Sequence, residues 1–315
     1  MKTHLLIDVD SKIPNLALMK ISAWAKAQGD RVDFHGQTAW PDEVWISCIF
    51  TWNRSKALGI ALLFPDSKIH YGGTGFDWGE PRDHRIELPP EIEAMPPDYE
   101  PYGDPRAIGF CQRGCNRKCQ FCDVWRKEGR IPDNDYKRIL DWVPDGRRDV
   151  LLLDNDMALY EDWKHDQILQ DCRDSGRNLS ITQGYDIRCL DQRRAGILAD
   201  RKPWDLKFRE RRLYIAWDYI GIEGWIRRGI PMLLEAGFKG REIMCYIICG
   251  FNTTEAEDLH RFHVLWKEYG VYPFVMRYNN RRDLPRLNHF SRWINRPALF
   301  KSVPWEDYIA RKMPP

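Results

Sequence analysis

Thirteen residues from Phe110 to Cys122 hold four of the chain's nine cysteines, in the order Phe-Cys-Gln-Arg-Gly-Cys-Asn-Arg-Lys-Cys-Gln-Phe-Cys. Cys115, Cys119 and Cys122 are spaced C-x3-C-x2-C. One short loop with that spacing can wrap three thiolates around one side of a small metal centre. Iron-sulfur clusters are normally held by four thiolates, so a three-thiolate cube keeps one iron open for another ligand. Cys111 is a possible fourth ligand, and with it the loop reads alternatively as a closed, four-cysteine zinc knuckle. Zinc sites usually draw their ligands from two separated pairs, and no second C-x2-C pair follows.

The spacing, together with the aromatic Phe121 just before the last cysteine, resembles the cluster loop of the radical S-adenosylmethionine (radical SAM) superfamily. The preceding Arg113-Gly114-Cys115 is similar to the opening used by members whose barrel follows a cobalamin-binding-type domain. The resemblance implies a 4Fe-4S cluster on Cys115, Cys119 and Cys122, with Phe121 sheltering the nucleoside. It also implies S-adenosyl-L-methionine as a cofactor and an external electron donor such as flavodoxin or ferredoxin.

The rest of the chain reads as two successive strand-helix alternations, an α/β pattern with parallel sheets. In residues 1–76, apolar runs at 4–9, 32–34, 44–50 and 68–71 predict strands. Leu16 to Ala27 and Ser55 to Leu63 predict helices. This region resembles a Rossmann-like, cobalamin-binding-type domain, with Ser47 and Gly72-Gly73 where that family has its Ser and Gly-Gly elements. The loop after the first strand is Asp10-Ser-Lys-Ile-Pro-Asn, without the family's Asp-x-His-x-x-Gly, and Asp33-Phe34-His35-Gly36 only imitates it. The expectation is therefore a domain without cobalamin. Residues 77–106 carry seven prolines, Pro81 among them, and read as an extended linker.

From 107 to 278 the strands are expected at 107–111, 150–153, 178–182, 213–217, 243–249 and 272–276. Helices are expected at 136–143, 159–174, 190–199, 222–236 and 254–269. This order resembles a partial (β/α)6 radical SAM barrel, whose site lies at the carboxyl ends of the strands. The resemblance then assigns residues strand by strand. Asp154 and Asn155 would meet the methionine ammonium, with Asp156 read also as a helix cap. Gln183 and Arg188 would contact the ligand, the latter forking onto the methionine carboxylate, while an Asp186–Arg188 salt bridge is the alternative. Asp218 would meet the ribose, Gly250 would let the backbone approach the adenine, and Met276 or Tyr278 would floor it. Cys172, Cys189, Cys245 and Cys249 read as buried hydrophobes.

Residues 279–315 are rich in arginine and aromatics, including Arg281 and Arg282, and are expected to close the barrel. Arginine pairs also recur at 193–194, 211–212 and 227–228 against a nearly balanced total of 48 basic and 46 acidic residues. They read either as solvated faces or as a surface for a nucleotide, nucleic acid or other large anion. A small metabolite or peptide is the other substrate class, and a non-catalytic zinc adaptor is the rival from outside enzymology. No apolar run reaches the twenty residues of a membrane span, and the run after Met1 is broken by Asp8 and Asp10, unlike a secretory signal. With an odd, clustered set of cysteines, this points to a reducing cytoplasm.

Overall fold

The computed structural model describes residues 1–80, 82–281 and 283–313; Pro81, Arg282 and the last two residues of the expected closing segment lie outside them. The chain is mixed α/β with parallel sheets. It divides into two compact units. One holds residues 1–109 with 117–130 and 142–147, and the other holds 110–116, 131–141 and the chain from Arg148 onward.

In the first unit, β1 (Thr3–Asp8), β2 (Arg31–Asp33), β3 (Glu43–Ser47) and β4 (Lys68–Gly72) form a parallel sheet in the order β2-β1-β3-β4. Successive residues of a strand face opposite sides. Accordingly Leu5 and Ile46 pack with Val44 and Ala57 on one face, whereas Leu6 and Trp45 pack with Leu18, Ile21 and Ile92 on the other. The helix Leu16–Ala27 starts at Asn15, whose Oδ1 accepts the Leu18 N–H at 3.2 Å.

The carboxyl ends of β1 and β3, where such sheets commonly bind ligands, are filled by the chain itself. Asp10 accepts the N–H groups of Ile49 (2.7 Å) and Phe50 (3.0 Å) and the Asn53 amide (3.0 Å). Asn15 donates to Ser47 Oγ at 2.8 Å. The Tyr102 hydroxyl donates to Asp8 at 2.6 Å, and its ring meets Phe34 edge-on at 4.8 Å. In the glycine turn, Gly73 has φ +94°, and a Cβ there would collide with the Cys48 carbonyl oxygen, so both the conformation and the space require glycine. His35 is exposed in a turn that Asp33 holds by accepting the N–H groups of His35 and Thr38.

The proline-rich stretch lies along helix Leu16–Ala27. Its single turn Pro90–Glu93 buries Ile92, Lys20 Nζ donates to Glu93, and Ser22 donates to Asp98 at 2.6 Å. β5 (Ala107–Gly109) ends the first continuous span of this unit.

In the second unit, β6 (Asp149–Leu152) pairs in parallel with β7 (Asn178–Ile181), while β8 (Leu213–Ala216), β9 (Ile243–Cys249) and β10 (Tyr272–Arg277) form a second parallel group. A parallel bridge from Tyr185 to Ile215, with Tyr185 N–H donating to Tyr214 O at 2.7 Å, joins them. Within each group the strands lie side by side in chain order. The connecting helices are Asp162–Asp174, Gln192–Asp200, Glu223–Glu235 and Glu255–Phe262.

Three expected helices differ in the structure. The segment at 136–143 reduces to the turn Ile139–Trp142, because Pro144 stops it on one side and Pro132 with the polar run after it leaves no apolar stripe on the other. The segment at 159–174 begins only at Asp162, after a separate turn Met157–Leu159 capped by Asp156. The segment at 254–269 changes from α-helix to a wider π turn at His263–Glu268. Its start is as expected. Thr254 Oγ1 accepts the Glu257 N–H, and Glu257 accepts the Thr254 N–H at 2.7 Å. Thr254→Ala should cost about 1 kcal/mol, read as a lower urea midpoint at unchanged slope.

Among the described residues no helix is long and apolar enough to cross a membrane.

Candidate metal centre

The cysteine loop is held at both ends by side chains that the fold positions. In the second unit, β6 ends at Leu152, which sets Asp154 and Asn155 at its carboxyl end. The Cys111 N–H donates to Asp154 Oδ1 at 2.7 Å and the Gly114 N–H donates to Asn155 Oδ1 at 2.9 Å. The Tyr160 hydroxyl lies 2.8 Å from Asp154 Oδ2 and 2.7 Å from the Gln112 carbonyl oxygen. Gln112 in turn donates to the Pro132 carbonyl. Asp154 and Asn155 thus receive the loop's own backbone where the resemblance placed a methionine ammonium.

Burial pushes the Asp154 carboxyl up to about 7, against the hydrogen bonds from Tyr160 and Cys111 that favour its charge. The geometry gives the same direction. A protonated Asp154 donates to Tyr160, and Tyr160 then donates to the Gln112 carbonyl, so every group in the chain is satisfied. An ionised Asp154 would have to compete with that carbonyl for one hydroxyl proton.

In the first unit, Cys119 O accepts both the Cys122 N–H (3.1 Å) and the Trp125 indole N–H (3.3 Å), which makes a tight turn between the two cysteines. Asp123, directly after Cys122, forms a buried ion pair with Arg85 at 2.7 Å, and Arg85 also donates to the Glu80 carbonyl at 2.9 Å. Cys115, Cys119, Cys122 and Phe121 are half-buried and Cys111 is buried. None of the nine cysteines forms a disulfide. Three half-buried thiols on a short loop suit a thiolate-held iron-sulfur centre in donor chemistry. Among the described residues no three His, Cys, Asp or Glu side chains are drawn together as a ligand set, so the ligand assignment stands on spacing and donor type.

At the remaining strand ends the outcomes differ residue by residue. Gln183 is exposed. Arg188 forks onto Asp186 at 2.7 and 2.9 Å, the salt-bridge alternative. Gly250 has φ +81°, and a Cβ there would lie 2.6 Å from the Leu287 side chain, so its freedom serves packing against helix Pro285–Ile294. Met276 is 47% exposed. Asp218 is half-buried and has no hydrogen-bond or ion-pair partner among the described residues; burial pushes its carboxyl up to about 6 although Arg261 and Arg188 pull it down. Cys245 and Cys249 lie on the buried face of β9, where burial raises both thiols, as expected of packing cysteines.

Two residues with structural weight at this end escaped the sequence reading. Tyr160 follows Asp154 with no periodic signal. Arg261 is fully buried, pairs with Asp258, and donates to the carbonyls of Trp217 (2.6 Å) and Ile248 (2.8 Å). Its one legible sign was the i, i+3 acid-base spacing on a helix.

Arginine pairing is widespread. Arg193 and Arg194 bind Asp162, Arg212 binds Glu210, Arg227 binds Glu223 and Glu268, and Arg286 binds Glu255. The tail aromatics Phe290, Trp293, Trp305 and Tyr308 are buried against one another. No protein-family model matches the chain, and a search of curated proteins finds no match.

Proposed function

We propose that this chain is a radical SAM enzyme. The observation that carries the reading is the Cys115, Cys119, Cys122 loop in C-x3-C-x2-C spacing, with its leading arm tied by Asp154 and Asn155 to the carboxyl end of a parallel strand. Parallel strands in chain order within the second unit, β6-β7 and β8-β9-β10, support a partial barrel. Cys115, Cys119 and Cys122 would hold the cluster, which would supply the one-electron reduction of S-adenosylmethionine that radical hydrogen abstraction from a substrate requires. The electron comes from an external donor of the flavodoxin or ferredoxin type, and the setting is a reducing cytoplasm. Asp154 and Asn155 act as positioning residues for the loop, so methionine contact falls to Gln183 and to Arg188 sharing its fork with Asp186. Phe121 and Met276 remain the residues for the nucleoside, while Gly250 gives its open side to Leu287. The first unit is read as a cobalamin-type fold without cobalamin, and the closure of its strand ends by Asp10 and Tyr102 supports this.

Of the two substrate classes, the pairing of arginines with carboxylates favours a small metabolite or peptide over nucleic acid. Paired guanidiniums offer phosphates little net charge. Anaerobic reconstitution with iron and sulfide tests the whole reading. The expected result is a brown protein with about four irons per chain that forms 5′-deoxyadenosine from S-adenosylmethionine only with dithionite. A colourless protein holding stoichiometric zinc would overturn it in favour of the zinc adaptor.

A further inference from the structure

The β8-β9-β10 group has two unlike faces. Ile215, Ile243, Cys245, Ile247, Cys249 and Val275 point to one side and are at most 2% exposed. The other side carries Tyr246, Phe274 and Met276, and there Phe274 is 36% and Met276 47% exposed. Strand register sets Ala216, Tyr246 and Phe274 in one row across three strands. Tyr246 stacks on Tyr214 at 5.3 Å and meets Phe274 edge-on at 5.9 Å. Its hydroxyl is pinned to the Thr182 carbonyl at 3.1 Å, so the ring is fixed before any ligand arrives. Beside it stand Ala216 and Gly184, which bring almost no side-chain bulk.

Asp218 follows Ala216 by two residues, and Trp217 N–H still donates to Tyr246 O at 2.8 Å. The strand alternation therefore carries Asp218 to the aromatic side. The charged groups around it are Arg188, already forked onto Asp186, and Arg261, already paired with Asp258. Asp218 itself makes no ion pair among the described residues, at a half-buried position. A half-buried carboxylate without a partner is costly to desolvate further unless a cation arrives with the ligand.

We infer that this face is the substrate wall, and that it takes a small molecule with a planar ring and a cationic amine, the ring on Tyr246 and Phe274 and the amine on Asp218. The inference rests on the radical SAM reading only for the word substrate; the binding site itself stands on the geometry. Aromatic faces and a carboxylate both attract an organic ammonium, and neither attracts a phosphate or carboxylate. Asp218 then serves the substrate in place of the ribose that the resemblance gave it.

The test uses three probes with one ring and three charges: tryptamine, tryptophol and indole-3-acetate, titrated into the full chain at pH 7.5 by calorimetry. Tryptamine is expected to bind about tenfold tighter than tryptophol, the order of effect of a charge-assisted hydrogen bond, with indole-3-acetate weakest. Asp218→Asn should bring tryptamine to the tryptophol level and leave tryptophol unchanged. Phe274→Leu, at an exposed position that the fold tolerates, should weaken tryptamine and tryptophol alike by about threefold. Equal affinities for tryptamine and tryptophol, a preference that survives Asp218→Asn, or no tryptamine binding at millimolar concentration would each overturn the inference. The two proposals fail separately. Formation of 5′-deoxyadenosine without tryptamine binding sinks the substrate class alone, and Asp218-dependent tryptamine binding in a chain that never cleaves S-adenosylmethionine sinks the radical reading alone.

Discussion

Alanine at any one of Cys115, Cys119 or Cys122 is expected to abolish dithionite-dependent 5′-deoxyadenosine formation, with iron content falling in parallel and the far-ultraviolet dichroism unchanged. A cluster on three thiolates has no protein ligand to spare, so each loss is complete and none is additive. The fold survives because these side chains are half-buried on a loop, outside the sheets. Cys111→Ser supplies the contrast. Cys111 is 1% exposed and its backbone N–H is already used by Asp154, so the serine variant should keep its iron and its turnover. A zinc knuckle makes the opposite prediction, with metal lost from all four variants. Turnover retained in Cys119→Ala would remove the cluster assignment outright.

The second large effect belongs to Asp154. Asp154→Ala leaves the Cys111 N–H without its acceptor in a buried site and breaks the contact with Tyr160, at a cost of about 2–4 kcal/mol. The leading arm of the cysteine loop should loosen with it and lower iron retention. Asp154→Asn behaves differently, because its carbonyl can accept from Cys111 while its amide donates to Tyr160, reproducing the protonated acid. The sign follows from linkage. The folded carboxyl sits at about 7 and the unfolded one in the ordinary range near 4, so the folded state holds the proton more tightly. Its stabilising contribution is complete below the unfolded value and is lost as pH rises through about 7. Urea midpoints should therefore show Asp154→Asn gaining on the wild type by on the order of 3 kcal/mol between pH 4 and pH 8. Parallel pH profiles for the two proteins would show that Asp154 is ionised throughout.

Several strands were legible because each is a short apolar run soon followed by a charged residue or glycine, as the runs in β1, β6 and β9 are by Asp8, Asp154 and Gly250. β1, β3, β6 and β9 all fall within a few residues of the expectation. Alternation along β9 put Cys245 and Cys249 on one face, which is the buried one, and Cys172 is buried too, whereas Cys189, also expected to be buried, is half-buried. Helix ends were less legible where a second signal competed, as at Asp156, which caps its own turn and delays the next helix to Asp162. At the candidate site, spacing picked out the thiols and the strand-end position picked out Asp154 and Asn155. Their hydrogen-bond partners, however, are backbone groups more than forty residues away in sequence. No local pattern encodes such a pairing. The arginine doublets show the same limit, since Arg227 finds one acid four residues away on its own helix and another forty-one residues distant.

Tyr102 and Asp10 give the first unit one more property. Their hydrogen bonds occupy the strand ends from within, as a bound small molecule otherwise could. A unit braced in this way carries its own ligand in covalent form, at a local concentration that dilution cannot lower. Its melting temperature should stay the same whether or not a corrinoid is added.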